Sequence, residues 1–225
     1  PLLRKAERLG LEQPDFPKVL GLAYYTLNQF VLFSRQMKKA IEANPKDPWP
    51  HFYLGLYELQ MRENYKKAQV NFSQSLKLHP NNARVRYYHG YCHEMLGQYD
   101  RAQNDYENAL ELLKLTQASF SLPYQRMAKL SAGMNLDKTL SYKYALRAVE
   151  INPNLAENHL ILAKIHESQG KLTATVQELR EAARIDPTLA LPHYRLFRIL
   201  LKQGEKNAAD TELAEFQRLT KLYGP

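Results

Sequence analysis

Apolar residues recur along this chain every three or four positions, the spacing that lines one face of an α-helix. Six such stretches open around Leu20-Gly21, Leu54-Gly55, His89-Gly90, Met127-Ala128, Leu162-Ala163 and Leu196-Phe197. Turn signals follow at Gly97, Gly170 and Gly204, and a second periodic stretch then carries Ala68, Ala102 or Ala209. The pattern predicts helix, tight turn, helix, repeated along the chain. A small residue in the first helix lets its partner approach closely, and the alanine of the second fills the matching place. Strands are not predicted: Ala, Leu, Lys, Glu and Gln dominate, and only 9 glycines are present.

Each pair of stretches closes on the same phrase. Ala40-Ile41-Glu42-Ala43-Asn44-Pro45, Ser75-Leu76-Lys77-Leu78-His79-Pro80, Ala148-Val149-Glu150-Ile151-Asn152-Pro153 and Ala182-Ala183-Arg184-Ile185-Asp186-Pro187 are its clearest copies. Their prolines lie 34 or 35 residues apart, except for one gap of two periods. Ala109-Leu110-Glu111-Leu112-Leu113 fills that gap without a proline, so a longer helix or a loop is expected around Leu112–Pro123. A closing proline cannot continue the helix behind it and pushes the preceding residue out of the α region. Pro50, Pro123 and Pro192 fall in first turns, where a missing N–H costs little.

The period, the small residues and the closing proline resemble the tetratricopeptide repeat, in six copies over roughly residues 14–220. The resemblance implies an all-α, right-handed superhelical solenoid of about six helix-turn-helix repeats, at approximately 14–47, 48–82, 83–117, 118–154, 155–189 and 190–225. A two-helix unit cannot bury its apolar face alone, so neighbours stack in one direction. Residues 1–13 are expected to be the remnant of a preceding repeat: Leu2–Leu9 reads as a second helix without its first. No initiator Met or signal peptide is present, and the chain is expected to be a trimmed piece of a longer protein. The fourth repeat is the most divergent, with Ser141 where Ala is usual and Gly133 early in its turn.

The resemblance also implies a function: a non-enzymatic scaffold that holds a peptide or partner protein in its concave groove. In this family the groove is lined by one stripe of each first helix. The stripe places Leu22, Tyr25, Trp49, Phe52, Tyr53, Leu56, Tyr87, Tyr88 and Tyr91 inward in the first three repeats, and Arg126, Lys129, Lys164, Arg195, Arg198 and Lys202 in the last three. An aromatic half and a basic half suit a partner with an aromatic anchor and flanking acidic residues, since aromatics and Arg dominate binding hot spots. The clamp that some family members use for acidic chaperone C-termini is not expected. Val19, Tyr53 and Tyr88 stand where such clamps carry Asn. Apolar residues near the C-terminus (Leu219, Leu222 and Tyr223) and the remnant at the N-terminus predict some end-to-end self-association.

Charge and chemistry adjust this picture only at its edges. The formal charge is +8, but the charges are interleaved and no block of five or six like charges appears, so a nucleic-acid tail is not indicated. Tyrosines for base stacking keep RNA or another polyanion as an alternative ligand. No run approaches the roughly 18 apolar residues that span a bilayer. A single cysteine excludes an internal disulfide and leaves the compartment open. The sharpest catalytic candidate is Tyr88-His89-Gly90-Tyr91-Cys92-His93-Glu94, where His89 and His93 lie one helical turn apart beside Cys92. It keeps a metal-dependent enzyme as a second alternative. The preferred reading makes these histidines framework substitutions on the packed face, as are His51, His159, His166 and His193, with no metal, no cofactor and no catalytic residue. Asn71-Phe72-Ser73 matches a glycosylation acceptor, but Phe72 is expected to be a framework aromatic.

Overall fold

The computed structural model describes residue 13, residues 15–133 and residues 138–224. The expected remnant helix over Leu2–Leu9 lies outside these residues, as does the turn after Gly133. Among the described residues the chain is all-α, with no strand and twelve helices. These are α1 (Phe16–Thr26), α2 (Phe30–Ala43), α3 (Trp49–Gln60), α4 (Tyr65–Leu78), α5 (Ala83–Met95), α6 (Tyr99–Thr116), α7 (Leu122–Gly133), α8 (Lys138–Ile151), α9 (Ala156–Ser168), α10 (Leu172–Ile185), α11 (Ala190–Lys202) and α12 (Lys206–Tyr223). They pack most closely as consecutive antiparallel hairpins, α1 with α2 through α11 with α12. Each hairpin also rests on the next within a unit, which makes a helical solenoid. Two compact units result, Pro1–Gln117 and Ala118–Pro225, with three hairpins in each.

Local chemistry sets the helix ends. α2, α4, α8 and α10 stop at Ala43, Leu78, Ile151 and Ile185, and in each case a proline stands two residues further on. α6 has no such proline and runs for 18 residues to Thr116, ending on Gln117 in the left-handed region. The expected departure at this junction is thus a longer helix. Where α5 begins, the Asn82 side chain accepts hydrogen bonds from the backbone N–H groups of Arg84 and Val85. Asn64 caps α4 in the same way through Lys67.

Five hairpin turns use one positive-φ residue at the same place, namely Asn28, Glu63, Gly97, Gly170 and Gly204. In four of them the next N–H reaches back five residues to a helix carbonyl: Gln29 to Tyr24, Gln98 to His93, Lys171 to His166 and Glu205 to Leu200. These bonds satisfy carbonyls that the helix end would otherwise leave open. Asn28 tolerates this conformation, whereas Glu63 holds it at a steric cost.

Close approach explains the small residues of the first helices. A Cβ on Gly55 would stand 2.5 Å from Cε1 of Phe72, so the ring occupies the space a side chain would need. On Gly21 it would meet the Met37 methyl at 2.3 Å, and on Gly90 it would meet Asp105 Cβ at 2.9 Å. In the second unit Ala128 and Ala163 fill the corresponding places and are fully buried.

Candidate partner-binding surface

The aromatic residues of the first unit form a connected set on α3, α4 and α5. Trp49 meets Phe52 edge-on, with ring centroids 5.7 Å apart, and Tyr53 at 6.3 Å. Phe52 touches Tyr88, which stacks on Phe72, while Tyr87 stacks on Tyr91. Burial sorts them into two groups. Phe52 and Tyr87 are only 4% exposed and belong to the core. Each lies three residues before a close-approach glycine, Gly55 or Gly90, and so shares its inward face. Their inclusion in the groove-lining stripe is where the sequence reading and the structure differ. Trp49 is 38% exposed, and Tyr25, Tyr53, Tyr88 and Tyr91 are half-buried. Tyr25 donates its hydroxyl to Gln60 Oε1 at 3.0 Å, a contact between adjacent hairpins.

A pocket of about 360 Å³ opens among Tyr65, Tyr87, Tyr88 and Tyr91, with Leu59, Gln60 and Glu63 completing its wall. Burial raises the Tyr88 phenol above its usual value, and the charge of Arg84 pulls the other way. The phenol is therefore neutral, one hydrogen-bonding group in a wall that mixes aromatic rings with the polar side chains of Gln60 and Glu63.

The basic residues of the second unit are partly neutralised within the fold. Lys129 Nζ lies 2.5 Å from Glu157 Oε1, and Arg195 pairs with Glu167 and also reaches the Leu160 carbonyl. Arg126 is half-buried. Lys164, Arg198 and Lys202 are exposed, and the Arg198 guanidinium lies over the Tyr194 ring at 5.9 Å. The six cations of the sequence reading thus leave a weaker field than their number suggests.

The Tyr88–Glu94 segment does not bring together the three residues its spacing suggested. Cys92 is fully buried in the aromatic core, and burial pushes its thiol up to about 12. That thiol is neither a nucleophile nor a ready metal ligand. His89 and His93 turn the other way and meet Asp105 of α6, a residue the sequence reading did not single out. His89 Nδ1 lies 2.7 Å from Asp105 Oδ2, and His93 Nε2 lies 3.8 Å from the same oxygen. His89 Nε2 contacts Ser73 Oγ at 2.9 Å, and His93 Nδ1 contacts Gln98 Oε1 at 2.6 Å. Burial lowers the His93 pKa, partly offset by the Gln98 hydrogen bond.

Two further histidines make related contacts. His159 Nδ1 meets Glu178, and His193 Nδ1 meets Glu212, each at 2.7 Å between the two helices of one hairpin. Asn158 is another residue that sequence reasoning missed. It is fully buried, donates to the carbonyls of Ala148 and Asn152 at 2.9 and 3.0 Å, and accepts from Gln125 Nε2 at 3.1 Å. The only signal for it was an amide immediately after a helix start, which also describes many exposed residues.

Comparison with known proteins agrees with this geometry. The family model for the tetratricopeptide repeat matches residues 71–104. Tetratricopeptide repeat protein 37 of Xenopus laevis is 31% identical over 97 residues, which are 41% of this chain and 6% of that protein. The match therefore reflects a shared repeat within a far longer protein. Among solved structures, that of Pseudomonas aeruginosa pilF superposes with a TM-score of 0.79 at 20% identity, covering 93% of this chain and 91% of that one. PilW, described as a widely conserved type IV pilus biogenesis factor, gives 0.75 at 18% identity, with coverage of 91% and 92%. YrrB, described as having an unusual peptide-binding site, gives 0.63 at 19%, with coverage of 83% and 93%. At these identities the likeness is one of fold.

Proposed function

Because this chain is a tetratricopeptide-repeat protein, we propose that it is a non-enzymatic protein-interaction scaffold whose main contact is an anchor pocket on the first unit. The tyrosine-walled pocket among Tyr65, Tyr87, Tyr88 and Tyr91 is the observation that carries this reading. Its size suits one large side chain, and its rim offers phenol hydroxyls for orientation. Trp49 and Tyr53 connect to the pocket wall through Phe52, which touches Tyr88. Tyrosine and tryptophan supply large contact area with few rotatable bonds, which keeps the entropy cost of binding low. The preferred ligand is an extended segment with an aromatic anchor. Lys164, Arg198 and Lys202 of the second unit form a separate exposed set of cations suited to acidic residues.

Trp49 is the only tryptophan, so its fluorescence reports ligand entry. A peptide carrying one aromatic residue and an acidic flank is expected to change that emission saturably. Tyr53→Ala and Tyr91→Ala should each raise the off-rate. Tyr87→Ala is less informative, because Tyr87 is buried and its loss also destabilises the hairpin. In the second unit, Arg198→Glu should weaken its own contact with an acidic peptide more at low salt than at high salt, since exposed charges are screened over roughly 10 Å at 0.1 M. Unchanged affinity for a genuine partner in Tyr53→Ala and Tyr91→Ala would remove the pocket from consideration. Single-stranded RNA that bound tightly, with a steep salt dependence, would replace the peptide reading.

A further inference from the structure

We propose that His89, His93 and Asp105 form a binding site for one divalent transition-metal ion, of the zinc type, that clamps α5 to α6 in the third hairpin. The site is independent of the peptide pocket. One candidate ligand atom on each residue lies within 4.8 Å of the others, with none of them fully exposed. Tetrahedral zinc with bonds of roughly 2.0–2.2 Å needs ligand atoms about 3.4 Å apart. The present separations of 2.7 Å (His89 Nδ1 to Asp105 Oδ2) and 3.8 Å (His93 Nε2 to the same oxygen) bracket that value. Shifts of less than about 1 Å along these two vectors, together with closure of the two imidazoles by up to about 1.4 Å from their limit of 4.8 Å, would seat the ion.

The surrounding residues orient the ligands as an outer shell does. On each imidazole the nitrogen facing away from Asp105 has its own oxygen partner, Ser73 Oγ at 2.9 Å for His89 and Gln98 Oε1 at 2.6 Å for His93. Such a contact fixes the ring orientation and turns the opposite nitrogen toward Asp105. The Gln69 amide nitrogen also lies 3.1 Å from Nδ1 and 3.2 Å from Nε2 of His93, so it must move aside for the ion to bind. Arg86 approaches the other carboxylate oxygen, Oδ1, at 3.5 Å and leaves Oδ2 to the site. Its positive charge opposes the ion, so the affinity falls below that of an unopposed site. Two imidazoles and one carboxylate suit zinc, nickel or copper better than calcium or magnesium, which require more oxygen ligands. A water molecule would complete the coordination. Cys92, the thiol beside the histidines in sequence, takes no part because it is buried in the core behind them.

The test uses the whole chain, stripped of metal with a chelator and titrated with zinc or cobalt(II) alone. One ion per chain is expected, with visible cobalt bands of a low-symmetry, four-coordinate site and a melting temperature that rises with zinc. His93→Gln and Asp105→Asn should each reduce binding to background. Gln98→Leu should weaken it roughly 10–100-fold, as loss of an outer-shell partner does. Arg86→Gln should tighten it, a gain that a merely structural role for the cluster would not give. His79→Gln serves as a control and should leave affinity unchanged, since His79 is exposed and outside the cluster. Zinc binding by the parent that is no tighter than by Asp105→Asn overturns the proposal. So does a parent melting temperature that zinc in tenfold excess fails to raise, whatever the folding state of the variants.

Discussion

In the second hairpin, α3 and α4 meet where the Phe72 ring lies against Gly55, leaving no room for a Cβ. In the fourth, α7 keeps the Cβ of Ala128, and the Ser141 hydroxyl of α8 donates to the Ala128 carbonyl at 2.8 Å. The difference extends through each unit. The first fills its interior with rings, Tyr24, Phe33, Phe52, Phe72, Tyr87 and Tyr106. The second uses Ala, Leu and Ile together with buried polar groups, notably Asn158 and Thr175. Aromatic packing gains from area and shape and tolerates no added volume. A buried amide gains little net energy, yet its loss is costly because its partners stay desolvated. One repeat scaffold therefore carries two different kinds of fragility.

Gly55→Leu should expose the first kind most sharply. The new side chain must displace Phe72, at a cost of about 3 kcal/mol, the upper part of the usual overpacking range. Trp49 lies in the same unit, so the fluorescence midpoint in urea should fall by more than the midpoint by circular dichroism. If the two midpoints fell equally, the units would be unfolding as one and the contrast would not extend to stability.

Asn158→Ala tests the second kind. It strands the Gln125 amide and removes a donor from two carbonyls, and about 2–3 kcal/mol of destabilisation is expected. Here the circular dichroism midpoint should fall more than that of Trp49. A neutral effect would mean that water replaces the amide and that the second unit is no more brittle than its apolar packing.

A smaller change should go the other way. Glu63 holds φ +47 where Gly97, Gly170 and Gly204 use glycine. Glu63→Gly relieves about 1–2 kcal/mol of left-handed strain and returns part of it as chain entropy, so a net gain of about 0.5–1 kcal/mol is expected. Thermal melting measures it, and a loss of stability would show that the Glu63 side chain makes a contact worth more than the strain.

The smallest effect concerns pH. Burial lowers the His166 pKa below its ordinary 6.5, aided by Lys171 and opposed by Glu178. Its Nδ1 is buried with no hydrogen-bond partner among the described residues. A depressed folded value means that the unfolded chain binds the proton more readily. The stabilisation is therefore complete above pH 6.5 and is lost as pH falls from 6.5 through the lower folded value. His166→Phe should flatten that decline in urea midpoints between pH 7.5 and 5.5, and an unchanged slope would assign the decline to other groups.

How much of this was legible beforehand varies residue by residue. Helices ended where Pro45, Pro80, Pro153 and Pro187 required, and turns formed at Gly97, Gly170 and Gly204, because those residues restrict or free their own backbone. The glycine at 55 announced a close approach because a small residue at a fixed place in a repeat has few other uses. Phe52 and Tyr87 were harder. A stripe at helical spacing specifies a face of its own helix, and only the position of the neighbouring helix decides whether that face is covered. Neither Asp105 beside the two histidines nor Asn158 among its carbonyls could be read from spacing, since their partners sit on separate helices. The sequence by itself determined the all-α repeat, its period and most of its turns, through forces acting over a few residues. Tertiary structure decided which aromatics remain exposed, which cations are already paired and which histidines meet a carboxylate. Those outcomes depend on distances between helices, and no single helix contains them.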